Sequence, residues 1–395
     1  MDSETSLELV RKGTTLLLLD VPQFTLIAID TLVFSAGPNF KGIKMIPPGP
    51  HFFYYSPSNR DGNEFSPIVG FFFDASPSKV IVHKWNLEEE RFIKLSEEEE
   101  ERYAQAVRSL EFDRELGPYA LDQFKEWKSL SNYITESTIE RIPEPIGGEI
   151  TIASEPEMSG NIPKTGKEKA LAEQLCSSKF SRSSDKNQKV HCYYTSVPRL
   201  IKHKGMCANE LTSLNLDKTQ LLEELLTKEF GGAEDLLLAE LQFAFIAFLM
   251  GQSLESFLQW KTLLTLFFGC TEAPFRTRSK LFTKFIKVLY YQLKFGLQEN
   301  KKDVDVERES TSVLFDESWL SADSFMYHLC KDFFQLILEA PVVDGDLISW
   351  TRKVKELLET TLGWSFLQSD TIDGIYFEDS DEFAPVVEML DDHVQ

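Results

Sequence analysis

The longest apolar pattern in the chain runs from Leu236 to Phe268 and predicts two consecutive buried helices. In its first half, apolar side chains fall on every side of a helix, which is typical of a helix enclosed in a core or of a membrane span. Glu240 and Gln242 interrupt this half and Gly251 ends it. It therefore falls short of the about 20 apolar residues that crossing a bilayer requires. Ser253 can cap the second helix, so the stretch predicts an αα-hairpin at the centre of a helical core.

Shorter apolar runs, separated by Pro, Gly, Asn and Asp, occupy the first quarter of the chain and predict a β-sandwich or barrel-like domain. Between two of these runs, the Gly- and Pro-rich segment 37–50 is interpreted as turns. Ser96 with Glu99 forms a capping-box pattern that starts a helix, and Tyr119–Ile142 carries the apolar stripe of a second helix. The predicted strands are Thr14–Asp20, Phe24–Ile29, Thr31–Ser35, Phe52–Tyr55, Ile68–Asp74, Val80–Trp85 and Glu89–Leu95.

The pattern changes after Pro143, where large apolar residues become rare and Pro, Gly and Ser become common, as in linkers. Val190–Leu200 regains β-like composition and is interpreted as a strand or an extended segment between domains. Helical patterns follow from Asp217 onward and predict a bundle or solenoid of about six helices. The fold class is thus two-domain α+β. Its parts are a β-rich domain with flanking helices at 1–145, a flexible linker at 146–189, an all-α bundle at 190–365 and an acidic tail at 366–395.

One predicted helix of this bundle, Phe275–Phe295, is amphipathic and basic, and whether it contacts RNA is left open. After it, Leu297–Arg308 is interpreted as a charged loop, and Trp319–Leu338 and Leu347–Leu362 as two further helices, the last one opened by Asp344 or Asp346. The residues of the basic helix expected to face inward are Leu281, Phe285, Val288, Leu289 and Gln292, and those expected to face outward are Arg276, Arg278, Lys280, Lys284 and Lys287.

Charge and cysteine content restrict the classes of function. The chain of 395 residues has 63 acidic and 41 basic side chains and a net charge of -22, which disfavours non-specific nucleic-acid binding and favours basic protein surfaces as partners. Its five cysteines are odd in number and contain no CxxC pair, so neither a disulfide framework nor a closed zinc site is expected. The N-terminus lacks the basic and apolar pattern of a signal peptide, so we expect a cytosolic or nuclear protein.

No stretch of the sequence carries a GxSxG, P-loop, GxGxxG or HExxH signature, and we predict no catalytic, cofactor or metal residue. Glu240 is interpreted as a structural carboxylate with satisfied hydrogen bonds, the alternative being a catalytic acid. The glutamates 97–101 are interpreted as a solvated helix start, the alternative being a contact for a basic partner. His51 and His83 each stand alone on a predicted strand, so no metal role is expected for them. The spacing of His191, Cys192, His203 and Cys207 matches no common zinc pattern. Ser183 and Ser184 are candidate phosphorylation acceptors, the alternative being ordinary polar linker residues.

The acidic tail contains one apolar, β-prone segment, Phe383–Leu390. Such a segment is suited to adding a strand to the sheet edge of a partner. The alternative is that it folds back on the β domain of its own chain. The residues we predict to contact the partner are Phe383, Pro385, Val386, Val387, Met389 and Leu390.

Two long motifs support a family resemblance. The segment 40–52 (FKGIKMIPPGPHF), followed in order by Gly70–Phe72, Leu116–Tyr119 and Trp127, resembles the N-terminal signature of the AAR-two splicing-factor family, which is similar to A1-cistron splicing factors. The segment 240–245 (ELQFAF) resembles the C-terminal signature of that family, together with Phe257, Trp260, Lys261, Leu263 and Leu264, and Ala384–Val387 resembles its tail.

The resemblance implies an assembly factor of the U5 small nuclear ribonucleoprotein (snRNP), found in cytoplasm and nucleus, rather than an enzyme. Family members bind the large U5 scaffold protein at its RNase H-like and Jab1/MPN-like domains in a precursor particle, and they keep the U5 RNA helicase from binding prematurely. Phosphorylation is linked to their release. Their helical domain is similar to VHS domains, and their tail adds a strand to a sheet that involves the partner. We accordingly expect a monomer that needs no cofactor and has no nucleic-acid or membrane ligand.

Two other classes of function stay open at this point. A helical-domain trafficking adaptor would bind short acidic or dileucine peptides, because VHS-like bundles also bind peptide signals. A hydrolase in the β domain would lose turnover when one pocket acid is replaced. The assembly factor predicts stable stoichiometric binding and no turnover.

Overall fold

A computed structural model of the chain describes residues 3–59, 65–143, 149–151, 192–198, 215–302 and 324–366, together with positions 169 and 212. The strands are β1 (Thr14–Leu19), β2 (Leu26–Ile29), β3 (Leu32–Ser35), β4 (Gly42–Ile46), β5 (Gly49–Ser56), β6 (Val69–Ala75), β7 (Val80–Asn86), β8 (Arg91–Lys94), β9 (Leu116–Pro118) and β10 (Glu149–Thr151). The helices that accompany them are α1 (Ser3–Lys12), α2 (Glu97–Arg108), α3 (Phe124–Ser131) and α4 (Glu136–Arg141).

The strands form two five-stranded sheets, ordered β8-β7-β1-β4-β9 and β10-β6-β5-β2-β3. In the first sheet β1 pairs in parallel with β7 and antiparallel with β4, whereas the second sheet is antiparallel throughout its described pairs. The two sheets share one core, to which Leu16 and Ile43 contribute from the first sheet and Phe53 and Phe71 from the second. The predicted β-sandwich is therefore confirmed.

Strand β5 shows why this region has apolar runs without clean alternation. Successive side chains of a strand point to opposite faces. Phe53 and Tyr55 enter the core between the two sheets, and Phe52 and Tyr54 enter a second core built mainly by helices. The second sheet is thus covered on both faces, so apolar residues are favoured at every position of β5.

Two predictions in the N-terminal region are wrong. The segment 37–50, interpreted as turns, contains strand β4, in which Gly42 has a φ of 137° and lies so close to the carbonyl of Leu16 that no Cβ would fit. The predicted helix Tyr119–Ile142 is two helices, α3 and α4, because Asn132–Thr135 interrupts it and Thr135 caps α4 with Thr138. Strands β9 and β10 were not predicted either; β9 is three residues long and includes a proline, so it has no apolar pattern to recognise.

The C-terminal region has six helices within the described ranges, which confirms the predicted α+β class. They are α5 (Thr219–Phe230), α6 (Glu234–Leu249), α7 (Leu254–Phe268), α8 (Ser279–Lys302), α9 (Phe325–Glu339) and α10 (Gly345–Leu362). Helix α6 is buried at every position from Leu237 to Leu249, and the α6–α7 hairpin is confirmed. The Oγ of Ser253 caps α7 by accepting from the N–H of Ser256 at 3.2 Å, and Asp344 caps α10.

Helix boundaries in this region differ from the predicted ones at two places. Helix α8 begins at Ser279 rather than Phe275 and continues to Lys302, through the start of the predicted loop at Leu297. Leu297 is itself buried, so the helix has an apolar contact at this position. The charged residues around Leu297 in the sequence gave no indication of this contact. Helix α9 begins at Phe325, and the part of its predicted range from 319 to 323 lies outside the described residues.

Candidate functional site at the junction of the two regions

Glu240 lies in the middle of α6 and has no solvent exposure. Its Oε2 accepts from Nη2 of Arg141 at 2.7 Å and from the hydroxyl of Thr195 at 2.8 Å. Its Oε1 accepts from the N–H of Thr195 and from Nε2 of Gln259, both at 2.8 Å. Four donors from three other segments thus satisfy this carboxylate, which a buried charge requires. The structural interpretation of Glu240 is confirmed, and this geometry leaves it no role as an acid that reaches a substrate.

The segment 192–198 runs beside this carboxylate, along helix α7. The hydroxyl of Tyr194 lies 2.7 Å from that of Ser256, and Nε2 of Gln259 donates to the carbonyl of Thr195 at 2.9 Å. Apart from an isolated antiparallel bridge between Pro143 and Cys192, the segment has no regular secondary structure. It is therefore an extended connection held by side chains, one of the two forms predicted for Val190–Leu200.

Cys192, the one member of the improbable zinc set that lies in the described ranges, is buried. Burial, and then the nearby Glu255, raises the pKa of its thiol well above the usual range, so it stays protonated and unreactive at neutral pH. His191, His203 and Cys207 lie outside the described residues. Within the described part of the chain, no three His, Cys, Asp or Glu side chains group in a way that could hold a metal ion.

Aromatic and amide side chains complete the contact between the sandwich and the bundle. Phe72 of β6 stacks on Phe243 of α6 with ring centroids 4.2 Å apart. Gln242, the residue before Phe243 in α6, accepts from the N–H of Tyr133 and donates to Oδ1 of Asn132, each at 2.8 Å. The side chains of Glu240, Gln242 and Phe243 thus join α6 to the N-terminal region. The two motifs that carry the family resemblance meet at this junction.

A second buried polar network lies inside the N-terminal region, around His51. Nδ1 of His51 lies 2.6 Å from Oδ2 of Asp30, and Nε2 lies 2.8 Å from the carbonyl oxygen of Pro47. Since that carbonyl can only accept, Nε2 carries a hydrogen. Asp30 also accepts from the hydroxyl of Tyr119 at 2.6 Å and from the N–H of Phe52 at 2.9 Å. Burial, and then Asp30, raises the pKa of Tyr119 far above its usual range.

This network gives the N-terminal motif a structural role, because it holds the turn between β4 and β5 against Tyr119, which follows β9. Trp127 of the same motif donates from Nε1 to the carbonyl of Pro50 at 2.8 Å and so attaches α3 to the start of β5. His83, the other strand histidine, is buried with its ring centroid 4.9 Å from that of Phe71. The sequence pattern contains no signal for these pairings, since Asp30, His51 and Tyr119 belong to separate elements.

The basic helix differs from its prediction on its outer face. The five positions expected to face inward are buried, as predicted. Arg278, expected to face solvent, instead holds Glu223 with two hydrogen bonds of 2.9 and 2.6 Å and Glu234 with one of 2.7 Å. Lys284 pairs with Asp235 at 2.7 Å. Arg278 and Lys284 thus bind α5 and α6, because Glu223 of α5 and the acidic first turn of α6 lie within their reach.

The remaining outward residues of that helix have different surroundings. Arg276 is exposed and pairs only with its own neighbour Glu272 among the described residues, and Lys280 is exposed as predicted. The ammonium of Lys287 lies 5.6 Å from the ring centroid of Trp350. The acidic helix start at Glu97–Glu100 is solvated and capped by Ser96, as the simpler interpretation predicted. None of the helices in the described ranges is both long and apolar enough to cross a bilayer.

Other predicted site residues fall outside the described ranges. They are the linker serines Ser183 and Ser184 and the six tail residues Phe383, Pro385, Val386, Val387, Met389 and Leu390.

The fold and its site define a class: a two-region α+β protein whose two motifs meet at a buried, fully hydrogen-bonded junction. Comparison with known families gives that class a name. The model of the AAR2 N-terminal domain matches residues 12–144, and the model of the AAR2 C-terminal repeat region matches residues 194–367. The chain belongs to the AAR2 family, and this membership supports a splicing-related function in a family that is not one of enzymes.

Individual relatives extend over the whole chain. The Protein AAR2 homolog of Homo sapiens is 32% identical over 410 aligned residues, which cover 100% of this chain and 98% of the relative. The Protein AAR2 homolog of Caenorhabditis elegans is 30% identical over 376 residues, which cover 90% of this chain and 95% of the relative. The resemblance noted from the two sequence motifs is therefore confirmed.

Proposed function

We propose that this protein is an assembly factor of the U5 snRNP in pre-mRNA splicing. It binds the large U5 scaffold protein, at its RNase H-like and Jab1/MPN-like domains, in a precursor particle. While bound, it prevents premature binding of the U5 RNA helicase, and it acts in both cytoplasm and nucleus. The observation that carries the proposal is the match of both regions of the chain to the AAR2 family, with relatives that align along its whole length.

The junction adds physical support to a role in holding a partner. Its polar side chains are committed to contacts within the chain, with Glu240 accepting four hydrogen bonds and Gln242 making two. Such contacts hold the sandwich and the bundle in a fixed relation and so favour a single preorganised binding surface. A net charge of -22 favours a partner with a basic surface.

The tail supplies a second part of the proposal. Phe383, Pro385, Val386, Val387, Met389 and Leu390 form the apolar segment that adds a strand to a sheet of the partner. A strand of this kind gains affinity from main-chain hydrogen bonds. Replacing Val386 with proline removes an N–H donor and restricts φ, so it should weaken binding if Val386 donates to the sheet.

Co-purification with the RNase H-like and Jab1/MPN-like domains of the scaffold tests the proposal. The full chain is compared with a chain ending at Phe366, because Phe366 packs on Tyr327 and Phe334 at 5.2 and 5.0 Å and belongs to the bundle. We expect stoichiometric binding by the full chain, exclusion of the helicase from that complex, and weaker binding by the shortened chain and by Val386→Pro. The control is Val394→Pro, which makes the same change outside the apolar segment.

Each result has a distinct meaning. Undiminished binding by the shortened chain would place the interface on the folded regions and remove the strand-addition idea. Equal effects of proline at 386 and 394 would do the same. Absence of binding by the full chain would refute the scaffold as partner, and binding of short dileucine peptides instead would favour the trafficking adaptor.

A further inference from the structure

A cavity of about 240 Å³ opens at the surface between α3 of the N-terminal region and α8 of the bundle. Its lining combines cationic, amide and aromatic side chains and contains no carboxylate. The side chains that matter for its chemistry are Lys125, Lys128, Asn132, Tyr133, Lys287 and Tyr291.

The cations of this cavity have no anionic partner within the part of the chain that the structure describes. No Asp or Glu carboxylate among those residues lies within ion-pair distance of Lys125, Lys128 or Lys287. Some other surface lysines are paired, as Lys44 is with Asp113 and Lys284 with Asp235. Three lysine side chains line this cavity, Lys287 with its ammonium 5.6 Å from the ring centroid of Trp350, and an anion bound among them reduces their mutual repulsion. In a chain of net charge -22, such a group of cations is unusual.

The lining of the cavity also contains neutral polar and aromatic side chains suited to an anionic ligand. Oδ1 of Asn132 accepts from Gln242, and the NH₂ end of the same amide is the donor end, which lies towards the hydroxyl of Tyr133. Burial raises the pKa of Tyr133, with Lys284 and a hydrogen bond from Asn132 opposing it and Asp235 adding to it, so its hydroxyl stays protonated at neutral pH. The ring of Tyr291 and the side chain of Val288 supply apolar wall for the stem of a ligand.

The geometry points to a phosphorylated side chain of a partner protein as the ligand of this cavity, with the phosphoryl group held between α3 and α8. A phosphoserine or phosphothreonine carries about -1.5 to -2 charges and three acceptor oxygens at neutral pH, which suits three ammonium groups better than a single carboxylate does. Lysine binds such groups as a point charge. The inference goes beyond the proposed function, because neither binding of the scaffold nor strand addition by the tail requires this cavity.

The size of the cavity and the charge of the chain disfavour RNA as the ligand. Sites for larger ligands usually enclose about 300–1,000 Å³, whereas this one encloses about 240 Å³, which is enough for one side chain. Binding to an RNA backbone needs cations along several consecutive phosphates, against the repulsion of a net charge of -22.

The position of the cavity has a consequence for the two regions. Lys125 and Lys128 belong to α3, and Lys287 belongs to α8. A phosphoryl group between them contacts both regions at once, so the ligand should stabilise the folded chain by mass action. A partner modified in this way would bind next to the junction without disturbing its buried contacts.

The test uses the full chain with its lysines reductively ¹³C-methylated, a modification that keeps their charge. The probe is N-acetyl-O-phosphoserine N-methylamide, beside the corresponding serine and glutamate compounds. We expect the methyl signals of Lys125, Lys128 and Lys287 to shift and saturate with the phosphoserine probe, at a Kd on the order of 1 mM. The serine compound should cause no shift, and the glutamate compound should bind at least about fivefold more weakly.

Two variants locate the binding. Lys125→Gln with Lys128→Gln should weaken the phosphoserine probe about tenfold. Lys79→Gln removes an exposed charge in the turn between β6 and β7, which lines no part of the cavity, and should leave binding of the probe unchanged. All of these lysines are exposed, so the variants should fold normally.

Three results would overturn the inference. One is the absence of saturable shifts at the three lysines. Another is equal binding by the double variant or by the glutamate compound. The third is tight binding of a short single-stranded RNA that depends on the same lysines, which would assign the cavity to nucleic acid.

Discussion

The contact between the sandwich and the bundle includes a buried site whose charged side chains are paired and a surface site whose charged side chains are not paired among the described residues. At the buried junction, Glu240 has no exposure and accepts four hydrogen bonds. At the surface between α3 and α8, Lys125, Lys128 and Lys287 surround a cavity whose lining has no carboxylate. A buried charge must be paired, whereas an exposed charge stays hydrated and remains accessible to a ligand without a partner in the same chain. The first place therefore determines stability, and the second is available for binding.

Replacing Glu240 should have the largest effect and tests the buried side of this comparison. Glu240→Ala leaves the N–H and hydroxyl of Thr195, Nε2 of Gln259 and part of the Arg141 guanidinium without their acceptor. We expect a loss of about 4 kcal/mol in the free energy of unfolding, measured by urea denaturation. Glu98→Ala, at an exposed first-turn position of α2, is the control and should cost only about 0.3–0.5 kcal/mol. Equal losses would show that the junction carboxylate is not structural.

Truncating the aromatic contact of the junction should cost somewhat less. Phe72→Ala removes a buried ring that stacks on Phe243 at 4.2 Å and leaves a cavity between β6 and α6. We expect about 3 kcal/mol of destabilisation by chemical denaturation. Phe65→Ala removes the same ring from a position that is 43% exposed and should cost less than about 1 kcal/mol. A Phe72 loss as small as the Phe65 loss would mean that the two regions are not held by this contact.

The pH dependence of stability distinguishes a contribution from His83, inside the sandwich, from one made by the carboxylates of the junction. Burial, with a smaller effect of Lys94, lowers the pKa of His83 from 6.5 to about 4. The unfolded chain therefore binds a proton at a pH where the folded chain does not, so the contribution of His83 is complete above pH 6.5 and is lost as the pH falls towards 4. We expect a loss of about 2 kcal/mol in unfolding free energy between pH 7 and pH 5. His83→Gln should remove most of this slope, and an unchanged slope would direct attention to the carboxylates of the junction.

The smallest effect is expected at the cavity and tests the exposed side of the comparison. Lys128→Gln removes a cation without a carboxylate partner among the described residues, so the free energy of unfolding should change by less than about 0.5 kcal/mol. Lys44→Gln breaks the pair with Asp113 and should cost about 1 kcal/mol under the same conditions. A larger loss at Lys128 than at Lys44 would show that the cavity lysines are structural and would weaken the case for a ligand.

Sequence patterns predicted the long elements of this protein well and its short ones poorly. The α6–α7 hairpin and most of the sandwich strands are present at or near the predicted residues, because each carries its own apolar period. Strand β4 was hidden by glycine and proline, and one predicted helix proved to be α3 and α4. In both cases a local conformational preference, at Gly42 or at Thr135, changed the structure without changing the apolar pattern.

Candidate residues follow the same division. Burial of Glu240 was predictable, since its neighbours on every side of α6 are apolar. Its partner Arg141 was not, because the two are 99 positions apart and 41 cationic side chains were available. Arg278 was assigned to solvent for the same reason, as its partners Glu223 and Glu234 lie on other helices.

The sequence by itself determined the type of each long element, the apolar hairpin at the centre of the bundle and the excess of negative charge, because these depend on local period and composition. Only the tertiary structure decided which charges are paired and which are not. Arg141 meets Glu240, and Lys125 and Lys128 meet Lys287, because the sandwich and the bundle pack in one particular orientation. That orientation follows from contacts such as Phe72 on Phe243, whose energy depends on the approach of residues remote in sequence.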